Sequence, residues 1–116
     1  ALETFMQVLR LAGQYSEMGM EVKTLGNIST ILTDEKRFEE AEQTIQQALD
    51  IADECQDDEL VGNLQMLRAL NYREQDEIQK AIVACESAIQ SYSAIDAPQL
   101  AAEANKLLSE LRNLQL

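Results

Sequence analysis

The chain repeats itself at one fixed period along its whole length. Set in rows that begin at Ala1, Ala41 and Ala81, it reads ALETFMQVLRLAGQYSEMGM, AEQTIQQALDIADECQDDEL and AIVACESAIQSYSAIDAPQL. Ala1, Ala41 and Ala81 share a column. So do Phe5, Ile45 and Cys85; Val8, Ala48 and Ala88; Leu9, Leu49 and Ile89; and Met20, Leu60 and Leu100. One such column arises easily by chance, but five at helical spacing do not. A fixed period of this kind is the signature of stacked supersecondary units, each of which cannot bury its apolar face alone.

Within each row the period is helical. Phe38, Ala41, Ile45, Ala48, Leu49 and Ala52 step by three or four and so lie on one helix face. Ile78, Ala81, Cys85, Ala88, Ile89 and Tyr92 repeat that face in the next row. A second helix precedes each of these, marked by Leu25, Ile28, Ile31 and Leu32 and then by Leu60, Leu64, Leu67, Leu70 and Tyr72. Leu100, Ala104, Leu107, Leu111 and Leu114 mark a last one. One proline and four glycines supply few chain breakers, which favours long helices with short connections. Ser16, Asp57 and Asp96 stand where helices should begin and can cap a free N–H of the first turn. Pro98 falls in a first turn, where its missing N–H costs nothing. The pattern predicts about six helices, over 2–15, 17–34, 38–54, 58–75, 77–93 and 97–115.

These columns resemble the tetratricopeptide repeat, a helix–turn–helix unit with a typical period of about 34 residues. The longer step from Ala1 to Ala41 and Ala81 resembles the family's longer-helix variants. The first helix of the pattern is matched by Leu25, Ile28, Ser29 and Leu32, and the second by Ala41, Ile45 and Ala48. The next unit matches through Ala69, Tyr72, Ala81, Cys85 and Ala88. Small residues such as Ser29, Ala41 and Ala48 let packed helices approach closely. The family's Trp is absent, and Gln65 and Arg68 stand where apolar residues belong. The resemblance implies an all-α, right-handed solenoid of antiparallel helix pairs in one domain, 1–116. Residues 1–16 would be the second helix of a truncated unit, 17–56 and 57–96 two whole units, and 97–116 a terminal helix. The chain begins without Met and inside a helical pattern, as a segment of a longer protein would.

In this family the first helices of successive units line a concave face. The resemblance therefore implies a partner-binding groove at Lys23, Asn27, Thr30, Asp34, Asn63, Met66, Leu70, Arg73, Glu103, Lys106 and Glu110. Met66 and Leu70 are apolar groups on that face, apt for an apolar side chain of a partner. Capture of a C-terminal carboxylate is not expected, because only Asn27 and Lys106 suit it and they do not fall together. A second apolar set, Leu2, Phe5, Met6 and Leu9, covers the first helix more widely than one core face needs. Such a patch marks a contact: either upstream repeats of a longer protein cover it or the chain pairs there with a copy of itself as a homodimer, and the segment on its own is expected to self-associate.

Charge and chemistry narrow the function further. The net charge of −12 repels nucleic acid and anionic membrane. Eleven acids between Asp34 and Glu59 stand against Lys36 and Arg37, which keeps a helical surface soluble or, on the alternative reading, attracts a basic partner. With no His there is no Ser–His or Cys–His nucleophile pair and little basis for a metal site. The glycines are isolated, so no phosphate loop forms. Cys55 and Cys85 fit reduced thiols in a cytoplasmic protein, and no apolar run approaches a membrane span. The sequence thus predicts a non-enzymatic scaffold without metal or cofactor, holding a peptide or helix of a partner protein. The alternatives are a structural or oligomerisation element and the regulatory sensor domain of a larger protein.

Overall fold

The computed structural model describes residues 2–115, leaving aside the side chains of Leu2, Glu3 and Phe5. Among them the chain is all helix: α1 (Leu2–Asp34), α2 (Phe38–Cys55), α3 (Asp58–Glu74), α4 (Ile78–Ala94) and α5 (Pro98–Leu114). The faces read from α2 and α4 are the buried ones. Ala41, Ile45, Ala48, Leu49 and Ala52 are buried along α2, and Ala81, Cys85, Ala88 and Tyr92 along α4. Ser29, Ala41 and Ala48 are buried, as close helix crossings require.

The connections share one design. Each turn holds one left-handed residue, at Lys36, Gln56, Asp76 and Asp96, evenly spaced at half the sequence period. The residue after it donates its N–H back to the last helical turn: Arg37 to Leu32 O, Asp57 to Ala52 O, Glu77 to Tyr72 O and Ala97 to Tyr92 O. This is the Schellman closure, which satisfies carbonyls that a helix end leaves orphaned. The sequence period is therefore two equal halves, one helix and one turn each. Asp57 caps α3 as expected, its carboxylate accepting from Leu60 N at 3.1 Å. Asp96 does not cap α5, because it occupies the left-handed position itself and Ala97 precedes the helix.

The core has two parts. Val22, Ile45, Ala48, Leu49, Ala52, Leu60 and Leu64 join α1, α2 and α3. Ala69, Ala81, Cys85, Ala88, Leu107, Leu108 and Leu111 join α3, α4 and α5. Burying each Leu or Ile contributes about 1.5–3 kcal/mol. Polar positions on α3 that looked out of place are explained by cross-links. Arg68 grips Glu42 of α2 at 2.9 and 3.2 Å and reaches Gln46 at 2.8 Å. The fully buried Asn71 donates to Phe38 O at 3.1 Å and accepts from Thr33 at 3.0 Å. It thereby pins α3 to both sides of the α1–α2 turn.

The start of the chain departs from expectation. The helices expected at 2–15 and 17–34 are one 33-residue helix, and Ser16 lies in its interior rather than at a cap. Between Ala12 and Met18 only Gly13 disfavours helix, and no described helix packs on this stretch to reward a turn. At the α-helical rise α1 spans about 50 Å and α2 about 27 Å, so the first half of α1 projects as an arm. The whole measures 61 × 30 × 16 Å. Val8, Leu9, Leu11 and Tyr15 are exposed on the arm, although Val8 and Leu9 share columns with the buried Ala48 and Leu49. Ile28 and Ile31, read as core markers, are also exposed. Val22, Leu25, Ser29, Leu32 and Thr33 face the body instead.

Candidate partner-binding groove

Two shallow hollows lie end to end between α1 and α3. One, of about 190 Å³, is lined by Val22, Lys23, Gly26, Asn27, Thr30, Leu60, Asn63, Leu64 and Leu67. The other, of about 160 Å³, is lined by Ser29, Thr30, Thr33, Asp34, Leu67, Leu70, Arg73 and Glu74. Thr30 and Leu67 belong to both, so the hollows join into one groove with an apolar floor. Each is below the roughly 300 Å³ at which drug-sized ligands begin to be enclosed. Each is wide enough for a side chain.

Seven of the expected groove residues meet here: Lys23, Asn27, Thr30, Asp34, Asn63, Leu70 and Arg73. The others do not line it. Met66 is half-buried against the second core cluster. Glu103, Lys106 and Glu110 are exposed on α5, and only Glu110 touches the groove's edge, through a 4.0 Å pair with Arg73. Leu67, the shared floor, shows in the sequence only as one of the apolar residues that mark its helix. Its partial exposure follows from the α1–α3 crossing, which no single-helix pattern encodes. Of the self-association set, Met6 and Leu9 are exposed, while the side chains of Leu2 and Phe5 lie outside the described ones.

The groove's donors are poised outward. Lys23 and Asn27 have no hydrogen-bond or ion-pair partner among the described residues. Asn63 is oriented from beneath, its carbonyl oxygen accepting from the Tyr92 hydroxyl at 2.5 Å. That leaves the NH₂ of Asn63, a residue that lines the groove, without a partner among the described residues. Tyr92 is buried, and burial pushes its phenol up to about 12, so it stays a donor at any physiological pH. At the other end Asp34 and Glu74 bring negative charge beside Arg73.

A larger hollow of about 330 Å³ opens on another side, between α3 and α4, with Gln65, Arg68, Tyr72, Gln79, Lys80 and Val83. Its charged groups and Gln79 are already engaged by residues around the rim. Arg68 is held by Glu42 and Gln46, Lys80 pairs with Glu77 and lies over the Tyr72 ring, and Gln79 accepts from Gln115. A ligand there would have to break these contacts, whereas the α1–α3 groove offers groups with nothing to lose.

Nothing nearby suggests covalent chemistry. Burial pushes the thiols of Cys55 and Cys85 above the ordinary cysteine range, which leaves less reactive thiolate. Among the described residues no three His, Cys, Asp or Glu side chains come together to hold a metal ion. No helix among them is long and apolar enough to cross a membrane.

A family model for the tetratricopeptide repeat matches residues 22–55. The match runs from Val22, the first core residue of α1, to Cys55 at the end of α2. It therefore covers the C-terminal part of α1, the α1–α2 turn and the whole of α2, and stops short of the arm. Neither the curated proteins nor the solved structures gave a match.

Proposed function

Because the chain belongs to the tetratricopeptide repeat family through residues 22–55, we propose that it is a non-enzymatic module that holds a segment of a partner protein along the α1–α3 groove. Repeats of this family mediate protein–protein interaction. The observation that carries the reading is the continuity of the groove, an apolar floor at Leu67 and Leu70 flanked by unpartnered donors. Lys23, Asn27 and the Asn63 amide suit carbonyl or carboxylate oxygens of an extended chain. Asp34 and Glu74 suit a basic side chain at the other end. The bound segment thus has a direction, with an apolar residue seated over Leu67.

Display of random peptides against the chain tests this. Thr30 is exposed and sits at the junction of the hollows, so Thr30→Trp fills the groove without disturbing the core. We expect enriched peptides to bind Thr30→Trp at least tenfold more weakly than the parent, with Lys23→Ala/Asn27→Ala intermediate. Peptides that bind all three chains equally would place the binding face elsewhere.

A further inference from the structure

The two halves of α1 carry two bare apolar faces, and the repeat register makes each the complement of the other. Two full periods before Leu100, Leu108 and Leu111 of α5 stand Met20, Ile28 and Ile31. On α5, Leu108 and Leu111 are 7% and 0% exposed and share a cluster with Ala81, Ala84, Cys85 and Ala88 of α4, against which Leu100 also packs. On α1, Met20, Ile28 and Ile31 are 67%, 41% and 56% exposed. The arm shows the converse. Val8 and Leu9 stand in the columns of Ala48 and Leu49, which are 0% and 5% exposed on α2, yet they are themselves 57% and 56% exposed. The arm therefore bears the face of a unit's second helix. The remainder of α1 bears the face that receives such a helix.

Within one chain the two faces cannot meet. Leu49 and Leu64 share a core cluster across the α2–α3 turn, and one period earlier their counterparts are Leu9 and Thr24. On a continuous helix, at about 1.5 Å rise per residue, those two stand about 22 Å apart. The left-handed turns at Lys36, Gln56, Asp76 and Asp96 recur at one even step. The same step back from Lys36 reaches Ser16, where the helix runs straight through.

We infer that two copies of this chain pair through α1, antiparallel, each arm seated on the Met20, Ile28 and Ile31 face of the other. The register fixes the occupant as a helix with the arm's own pattern, and the straight helix makes it the arm of a second copy. A twofold axis near Ser16 and Glu17 satisfies both faces at once, the self-complementary arrangement of an isologous dimer by segment exchange. The paired rods overlap for about 45 Å, longer than any helix pair in the body. Repulsion is modest there: α1 has four acids against two bases, −2 of the chain's −12.

Cysteine pairing tests this, with Cys55→Ser as background, since Cys85 is buried. Leu9→Cys/Thr24→Cys should oxidise to a covalent dimer, and sedimentation of the unmodified chain should show a reversible dimer. Because Leu9→Cys trims the arm's face, a second variant reads the receiving face. Met20→Lys/Ile31→Lys changes exposed positions only. It should raise the dimer's dissociation constant at least a hundredfold and leave helix content unchanged. A monomeric parent overturns the proposal. So does a cross-link within one chain, which would show the arm folded back at Ser16. A dimer that neither cross-links at these positions nor yields to the lysines overturns it as well.

Discussion

Gly62 and Gly19 both sit inside helices, where glycine is poorer than alanine by roughly 1 kcal/mol. Their surroundings differ. A Cβ at Gly62 would stand 2.5 Å from Tyr92 Cε1 and 2.8 Å from Cδ1, so the ring must move. Moving it breaks the hydroxyl's bond to Asn63 and disturbs the groove. A Cβ at Gly19 would meet nothing within 4 Å. We therefore expect Gly19→Ala to stabilise by about 0.5–1 kcal/mol and Gly62→Ala to destabilise by about 1–3 kcal/mol through overpacking. Denaturant unfolding of the two variants checks the opposite signs, and equal signs would mean that Tyr92 can yield. Neither role was legible in the sequence. Gly62 and Tyr92 belong to different helices, and only the stacking of α3 on α4 brings them together.

At the level of the helix and its turn, the sequence announced the helices better than their ends. The faces of α2 and α4 were legible because most buried residues of each fall on one helical stripe. The faces of α1 were not. Its body half meets α2 and α3 through Val22, Leu25, Ser29 and Leu32, while its apolar Ile28 and Ile31 remain outside. Two apolar stripes on one helix give a pattern that a single-face reading resolves wrongly. The turns were hidden for another reason. Glycine usually marks the left-handed position, and here Lys, Gln, Asp and Asp hold it. Left-handed backbone costs a residue with a Cβ about 1–2 kcal/mol, least for Asp. Gln56→Gly should thus stabilise by about 1 kcal/mol, raising Tm by ~4 °C for a chain of this size. Gln56→Ala keeps the Cβ and should give no gain. If both raise Tm alike, the closure at Gln56 carries no strain.

Across the whole molecule, the acids and the groove lie apart. Of the eleven acids from Asp34 to Glu59, only Asp34 lines either hollow between α1 and α3. All but the half-buried Glu42 are exposed, on α2, the turns at its two ends and the adjoining ends of α1 and α3. They form a field around the site rather than contacts within it. Such a field attracts a basic ligand over a distance and is screened beyond about 8 Å at physiological ionic strength. Charges outside the contact act mainly on encounter, whereas paired charges inside it govern release. For a basic peptide selected on the groove, raising salt from low to high concentration should slow association at least tenfold. Dissociation should change by no more than about twofold to threefold. Stopped-flow mixing with a labelled peptide separates the two rates. An association rate indifferent to salt would leave the acids with solubility alone. A dissociation rate that climbs as steeply as association falls would put them in direct contact with the ligand, and the binding face would then include α2.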